Sequence, residues 1–193
     1  MTTQEMELLP KEFVKDTYDF RGNHMFESHI KNTLSYFKGK LNTKQVILDI
    51  GSKGPLTEEI ETLFNLKIDS TSGDLDIDFQ IPNRKYDVVI YSHTIEHQFN
   101  PLFTLLKIRD VLTPDGRLYI LLPERGKLLW TKGHYHEIDE YRMRILLKRS
   151  GLEVESKVRQ KIWRNWYYYL TGFRPLLRLF KEYHVIYCIK RIN

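Results

Sequence analysis

The hydrophobic positions between residues 86 and 123 predict two buried strands joined by a helix. The unbroken apolar run over 88–91 is typical of a strand that is covered on both faces. Asn100 and Pro101 then match a helix start, because Asn can cap free N–H groups and Pro suits the first helical position. Turn chemistry over 113–116 precedes a second apolar run over 118–122. This arrangement predicts a βαβ unit and therefore a parallel sheet.

The pattern on either side extends this unit. Apolar residues at helical spacing predict an amphipathic helix over 23–38, which Gly39 can end. A buried strand over 45–50 then leads through a glycine turn, residues 51–54, into a helix over 56–66. The remaining predicted elements are a helix over 142–150 and strands over 66–69, 154–161 and 184–190.

The predicted fold class is α/β, a three-layer, doubly wound and mainly parallel sheet with helices on both faces. We expect a single domain over 1–193, because 193 residues suffice for one core. Residues 1–44 form a helical lead-in. Residues 162–183, dense in aromatic and arginine side chains, form an insertion before the last strand.

The composition excludes several classes of protein. Hydrophobic residues make up 41% of the chain and charged residues 28%, which is ordinary for a globular protein. The single cysteine, Cys188, excludes a disulfide framework and favours a reducing compartment. The N-terminus lacks a signal-peptide pattern, and no apolar run approaches the ~18 residues of a membrane-spanning helix. We therefore expect a cytoplasmic protein, with association at a membrane surface as the alternative.

The net charge of +5 is unevenly distributed. Residues 141–193 contain 13 Lys and Arg against 3 Asp and Glu, a net of +10, so residues 1–140 carry −5. This asymmetry suggests an anionic partner, and a solvated basic face is the alternative. The aromatic and basic segment 162–183 has the composition of a peripheral membrane contact, a lipid-phosphate or sugar site, a stacking surface for single-stranded nucleic acid, a homodimer interface or plain packing. No motif favours nucleic acid.

Two polar stretches follow predicted strands, at the edge where an open parallel sheet binds its ligands. The first, over 92–97, reads Ser-His-Thr-Ile-Glu-His, and the second is the histidine-rich stretch over 133–141. The H-x-x-E-H spacing in the first also occurs in inverted zinc peptidases, which need both histidines one turn apart on a helix. Here a strand precedes the motif and the helix begins only after Asn100. The peptidase interpretation is therefore disfavoured, and no metal site is predicted.

A strand ending in S-H-T-I-E-H, followed by N-P, a leucine-rich helix and L-T-P-D-G-R-L, resembles the class I S-adenosylmethionine-dependent methyltransferases. The resemblance covers about 46–156 and is strongest over 86–123. It implies S-adenosylmethionine as cofactor and a small-molecule, sugar or lipid-linked acceptor. A catalytically silent binding domain on the same scaffold is the alternative, because fold does not determine function.

The resemblance also implies cofactor-binding residues. The family pattern of an acid followed by G-x-G-x-G is matched only in part, since Lys53 stands where the second glycine would be. That lysine either narrows the pocket or lies outward toward the cofactor carboxylate. The residues carried over for cofactor binding are Asp49, Gly51, Gly54, Asp69, Asp74, Ser92 and Glu96. Asp69 or Asp74 would hold the ribose, and an alternating edge strand over 74–78 is the competing interpretation.

Three histidines are the candidate catalytic residues: His93, His97 and His136. Imidazole titrates near neutrality and can act as a general base toward an acceptor hydroxyl. His136 is the favoured acceptor contact, with Trp130 and Tyr135 as walls of the acceptor pocket. For each of His93 and His97, the alternative is a histidine that caps the helix or hydrogen-bonds the turn.

Overall fold

The computed structural model describes residues 24–124 and 134–192, with side chains from residue 29 onward. Within these ranges the chain forms five α-helices and six strands. The helices are α1 (His24–Phe37), α2 (Pro55–Phe64), α3 (Pro101–Val111), α4 (Glu140–Arg149) and α5 (Phe173–Lys181). The strands are β1 (Ile47–Asp49), β2 (Ile68–Ser70), β3 (Tyr86–Ser92), β4 (Leu112–Glu124), β5 (Leu152–Lys161) and β6 (Tyr183–Arg191).

The six strands form one sheet in the order β2-β1-β3-β4-β6-β5. The pairs among β2, β1, β3 and β4 are parallel, whereas β6 runs antiparallel to both β4 and β5. The prediction of a mainly parallel sheet is therefore confirmed. The predicted turn over 113–116 lies within β4, where the pairing with β3 shifts register between Tyr86 and Val88.

Helices cover both faces of the sheet, because neighbouring strand residues point to opposite sides. In β1, Leu48 belongs to one core with Leu105 of α3 and Leu147 of α4. Its neighbour Ile47 belongs to a second core, which includes Phe37 of α1 and Ile60 of α2. The strands are thus buried on both faces, as their continuous apolar runs predict, and the architecture has three layers.

The segment over 71–85 contains neither helix nor strand. The competing interpretation of an alternating edge strand over 74–78 is excluded, because these residues form a turn in which the N–H groups of Ile77, Asp78 and Phe79 donate to the carbonyl of Asp74. The carboxylate of Asp76 accepts the backbone N–H groups of Phe99 and Asn100. This contact ties the turn to the N-terminus of α3.

The predicted insertion over 162–183 contains a 3-10 turn, Trp166–Leu170, followed by α5. Within it, Glu182 is fully buried and pairs with Arg164 at 2.9 Å and Arg178 at 2.7 Å, which connects the two ends of the segment. Most of its large apolar side chains are exposed, among them Trp163, Trp166, Leu170, Phe173 and Phe180. None of the helices in the described ranges has the length and apolar character needed to cross a membrane.

Candidate functional site

The glycine turn after β1 meets the end of β3 at one edge of the sheet, called the rim below. The N–H of Ile50 donates to the carbonyl of Ile90, which aligns the two strand ends. A Cβ on Gly51 would lie 3.9 Å from Thr94 Oγ1, so the glycine turn and the 92–97 stretch are neighbours. The parallel pairing of β1 and β3 accounts for this proximity, since parallel strands end at the same edge.

The glycine turn leaves open space next to the backbone. Gly51 has a φ of +116°, a conformation that side-chain-bearing residues rarely adopt. Its N–H donates to Thr71 Oγ1 at 2.8 Å. Gly54 has a φ of −119°, and a Cβ placed on it would meet nothing within 4 Å. The space in front of Gly54 and the N-terminus of α2 is therefore available to a ligand, and a helix N-terminus favours negative charge there.

Lys53 occupies the position of the second family glycine without filling the turn. Its ammonium group pairs with Glu61 of α2, with Nζ–Oε distances of 2.6 and 2.8 Å. In the described residues, only Asn65 and His93 combine a side chain with positive φ, so the backbone at Lys53 does not require glycine. The departure from the family pattern therefore keeps the turn intact, with the lysine directed along α2.

Asp49, the last residue of β1, is buried and accepts a hydrogen bond from Thr57 Oγ1 of α2 at 2.5 Å. Burial raises the pKa of Asp49 to about 7, although the bond from Thr57 and the charge of Lys53 act in the opposite direction. The carboxyl group therefore titrates near neutral pH. A ligand that brings a positive charge to it would favour its ionised form.

The other predicted cofactor acids are placed differently. The carboxylate of Asp69 accepts a hydrogen bond from the Tyr86 hydroxyl at 3.1 Å and forms an ion pair with Arg84 at 3.1 Å. Asp74 is exposed, and its carboxylate accepts the N–H of Asp76 at 2.8 Å. The ribose-binding role of either residue stays a prediction.

The two predicted histidine stretches come together at Glu96. The backbone N–H groups of Tyr135 and His136 donate to the carbonyl of Glu96 at 2.9 and 3.2 Å. The rings of His97 and His134 lie edge to face, with centroids 4.8 Å apart. The histidine loop, residues 134–139, is thus anchored on the 3-10 turn Ile95–His97 that follows β3. Neither histidine of the H-x-x-E-H motif lies on an α-helix, and this argues against the peptidase interpretation.

The candidate acceptor residue His136 is half-buried, and its Nε2 lies 3.4 Å from the Phe99 carbonyl oxygen. The rings of Tyr135 and Phe99 stack at 4.0 Å, and both side chains are exposed. They form an apolar surface beside His136. Trp130, the other predicted wall residue, lies outside the described residues.

The side chain of Glu96 is only 3% exposed and lies between histidines from both stretches. Its Oε1 is 3.5 Å from Nδ1 of His93, and its Oε2 has no hydrogen-bond partner among the described residues. Burial raises the pKa of Glu96, but the hydrogen bond and charge of His93 and the charge of His97 outweigh it. The net direction is below the ordinary value. Glu96 is therefore a buried, ionised carboxylate in the 3-10 turn that follows β3.

Two histidines that the sequence did not single out also lie at the rim. His29 extends from α1, and His184 lies on β6, where it pairs with Pro123 near the end of β4. Both contact His93, with ring centroids at 4.6 Å for His29 and 5.3 Å for His184. No local motif connects residues so far apart in sequence, so only the topology could bring them together.

Similar structures are found although similar sequences are not. No protein-family model matches the chain, and no curated protein matches it by sequence. The solved structure of Burkholderia thailandensis 1,6-didemethyltoxoflavin-N1-methyltransferase, with 1,6-didemethyltoxoflavin and S-adenosylhomocysteine bound, matches with a TM-score of 0.62. It is 16% identical, over 97% of this chain and 89% of that one. Coclaurine N-methyltransferase matches with a TM-score of 0.60 and 12% identity, over 83% of this chain and 72% of that one.

The fold is that of the class I methyltransferases. A third match within this fold is the [4+2]-cyclase SpnF, with a TM-score of 0.55 and 11% identity, over 83% of this chain and 80% of that one. The methyltransferase fold therefore also occurs in a protein named for a different reaction, and the acceptor has to be argued from the site itself.

The residues at the rim fit a cofactor of the S-adenosylmethionine type. Its amino-acid end carries a carboxylate and an ammonium group. The open N-terminus of α2 beyond Gly54 suits the first, and the buried carboxyl group of Asp49 suits the second. Gly51 leaves the backbone accessible to close approach. This fit depends on the space at Gly51 and Gly54, which side chains in those positions would reduce.

Proposed function

We propose that the protein is an S-adenosylmethionine-dependent methyltransferase that acts on a small-molecule, sugar or lipid-linked acceptor. The observation that carries the proposal is the open glycine turn at Gly51 and Gly54, which lies beside Thr94 at the end of β3. The methyltransferase fold of the matched structures supports it. In this proposal Asp49, Gly51 and Gly54 hold the amino-acid end of the cofactor, and Ser92 and Glu96 lie next to its sulfonium.

Methyl transfer requires only two chemical contributions from the protein. When bound, the cofactor supplies an electrophilic methyl group on a positively charged sulfur. The chain then has to align an acceptor atom with that methyl group, and it has to take a proton if the acceptor is a hydroxyl or protonated amine. We assign the acceptor contact to His136, which adjoins the Phe99–Tyr135 surface, with His97 as the second candidate base. An aromatic surface beside a base suits a partly apolar acceptor.

Calorimetric titration with S-adenosylhomocysteine tests the cofactor assignment. We expect micromolar binding by the intact chain and a loss of at least about tenfold in Asp49→Ala, because the buried carboxyl group would no longer face the ammonium group. Asp115→Ala is the matched control, since Asp115 is an exposed acid at the opposite end of β4. Parallel titrations of Asp69→Asn and Asp74→Asn identify which acid holds the ribose.

Absence of heat and of thermal stabilisation at millimolar ligand would contradict the proposal and favour a binding domain on a methyltransferase scaffold. Binding that is equally strong in Asp49→Ala and the intact chain would place the ligand elsewhere. If S-adenosylhomocysteine binds as expected, transfer of a labelled methyl group to extracted small molecules distinguishes a methyltransferase from a protein that uses the same cofactor pocket for another reaction.

A further inference from the structure

Three histidines from distant parts of the chain converge beside the rim, and they are called the three-histidine group: His29 of α1, His93 after β3 and His184 of β6. Their ligand nitrogens all lie within 4.8 Å of one another. Nε2 of His29 and Nε2 of His93 are 2.7 Å apart. The rings of His29 and His184 are also in contact, with centroids 3.7 Å apart.

The hydrogen bonding of this group is incomplete without a further ligand. His184 is 2% exposed, and its Nε2 is buried without a hydrogen-bond partner among the described residues. Its other nitrogen, Nδ1, lies 3.4 Å from Gln160 Oε1. An unpaired buried ring nitrogen is unfavourable, because it has lost its hydrogen bonds to water without gaining a partner in the protein. Packing of three rings alone therefore leaves the position of His184 Nε2 unexplained.

The surroundings of His93 match those of a metal-bound histidine. Its Nε2 faces His29, while Nδ1 lies 3.5 Å from Oε1 of the buried Glu96. A carboxylate on the second ring nitrogen orients a ligating histidine and increases its basicity. His93 also has a φ of +51°, an uncommon conformation for a residue with a side chain, which directs the ring into the group.

We propose that His29, His93 and His184 form a binding site for a divalent transition metal, with Zn²⁺ as the best fit and Glu96 as the carboxylate that orients His93. Three imidazoles with one remaining position are a known donor set for tetrahedral zinc. Bonds of about 2.0–2.1 Å to a shared ion would separate the ligand nitrogens by roughly 3.3 Å. The present separations, 2.7 Å for His29 and His93 and at most 4.8 Å for any pair, are close enough to that value for small ring rotations to suffice. The fourth position is reachable past His93, whose side chain is 37% exposed.

A second group, Glu96, His97 and His134, also has its ligand atoms within 4.8 Å of one another. It is the weaker candidate, because His134 Nδ1 already bonds Glu137 Oε1 at 3.2 Å. His97 has further interactions of its own. This group serves as an internal comparison, because it shares no ligand with the three-histidine group, although its Glu96 contacts His93.

The test uses the full chain without a histidine tag, stripped with a chelator and then dialysed against limiting Zn²⁺ or Co²⁺. We expect about one ion per chain by elemental analysis, and an intense visible cobalt spectrum of the tetrahedral type. The metal should raise the melting temperature by mass action. His184→Gln and His29→Gln should lose at least about nine tenths of the bound metal and the metal-dependent rise in melting temperature.

His136→Gln and His97→Gln are the controls and should retain the metal. If His97→Gln loses it while His184→Gln keeps it, the ion belongs to the second group and the proposal is overturned. Failure of the intact chain to bind Zn²⁺ or Co²⁺ at micromolar concentration also overturns it. A metal-free His184→Gln that melts no lower than the metal-free intact chain shows that lost binding is not lost folding. None of these outcomes depends on whether S-adenosylhomocysteine binds.

Discussion

Asp49 combines deep burial with a carboxyl group that titrates near neutral pH. Because burial raises its pKa to about 7 in the folded chain, the native state holds this proton more tightly than the unfolded chain does. Stability from this residue is therefore fully present below about pH 4 and declines as the pH rises through about 7. Above this pH the buried, ionised carboxylate of Asp49 destabilises the fold, and a bound cationic ligand would offset that destabilisation.

We predict that Asp49→Asn is more stable than the intact chain at about pH 8, by on the order of 3 kcal/mol, and that the difference is small at about pH 4. The asparagine can still accept the bond from Thr57 without a charge to bury. Urea denaturation at several pH values measures this. Asp115→Asn should show no such trend, and an equal stability difference at both pH values would contradict the burial argument.

For individual residues, the sequence was a good guide to which of them lie at the rim. It was a poorer guide to the contacts that each residue makes there. Strand ends can be located from hydrophobic runs, so Asp49, Gly51 and the 92–97 stretch could be identified. The consequence of Lys53 could not, because it depends on a backbone angle and on the distance to Glu61. His29 and His184 were missed because no spacing rule relates α1 to β6.

Among the elements, the segment over 162–183 is cross-linked internally by one buried carboxylate. The side chain of Glu182 is 1% exposed and pairs with Arg164 and Arg178, whose side chains are 19% and 16% exposed. Removal of one partner from a buried pair typically costs about 3–5 kcal/mol, because the remaining charges lose their compensation.

We predict that Glu182→Ala lowers the unfolding free energy by about 3 kcal/mol and increases protease cleavage within 162–183. Glu153→Ala is the control, because that side chain is 49% exposed and its pairing with Lys190 should contribute less than about 1 kcal/mol. Equal effects of the two substitutions would show that Glu182 does not hold the segment. Denaturation and limited proteolysis provide the two measurements.

The elements themselves followed the hydrophobic pattern closely, within a few residues at most ends. α3 begins at Pro101 as its capping residues predict, and Asn100 Oδ1 accepts the N–H of Phe103. One prediction that failed is the turn over 113–116, which lies within β4. The alternative of an edge strand over 74–78 also fails, because that segment is a turn. There the side chain of Asp76 bonds the backbone before α3, a long-range contact that outweighs a weak local preference.

For the molecule as a whole, the charge asymmetry and the exposed aromatic side chains lie in the same third of the chain. Residues 162–183 contain four Lys and Arg against one Glu, and Trp166 and Phe173 are 74% and 73% exposed. Exposed aromatic rings beside basic side chains suit the surface of an anionic bilayer. Such a contact would bring a lipid-linked acceptor to the rim.

We predict that the protein co-sediments with phosphatidylserine-containing vesicles at low salt and not with neutral vesicles. Substitution of Trp166 and Phe173 together by Ser should reduce the bound fraction by at least about fivefold. Tyr141→Ser is the matched control, since Tyr141 is 74% exposed and lies outside the segment. Unchanged binding in the double variant, or no binding of the intact chain, would leave the segment with a packing or dimer role.

The three-layer architecture and the mainly parallel sheet could be predicted from the sequence, because buried parallel strands and crossover helices have strong patterns. What patterns could not predict is which side chains from different layers converge. That depends on register and helix placement, which the sequence leaves open.

The carbonyl oxygen of Glu96 receives the N–H groups of both Tyr135 and His136. Local opening of the rim at this point must therefore break both hydrogen bonds to this oxygen, or else the 92–97 stretch and the histidine loop must move together. The deuterium uptake of these two amides becomes a paired reporter of opening. A ligand that bridges both loops should slow the two amides in step, whereas one that binds only at the glycine turn should leave them unchanged.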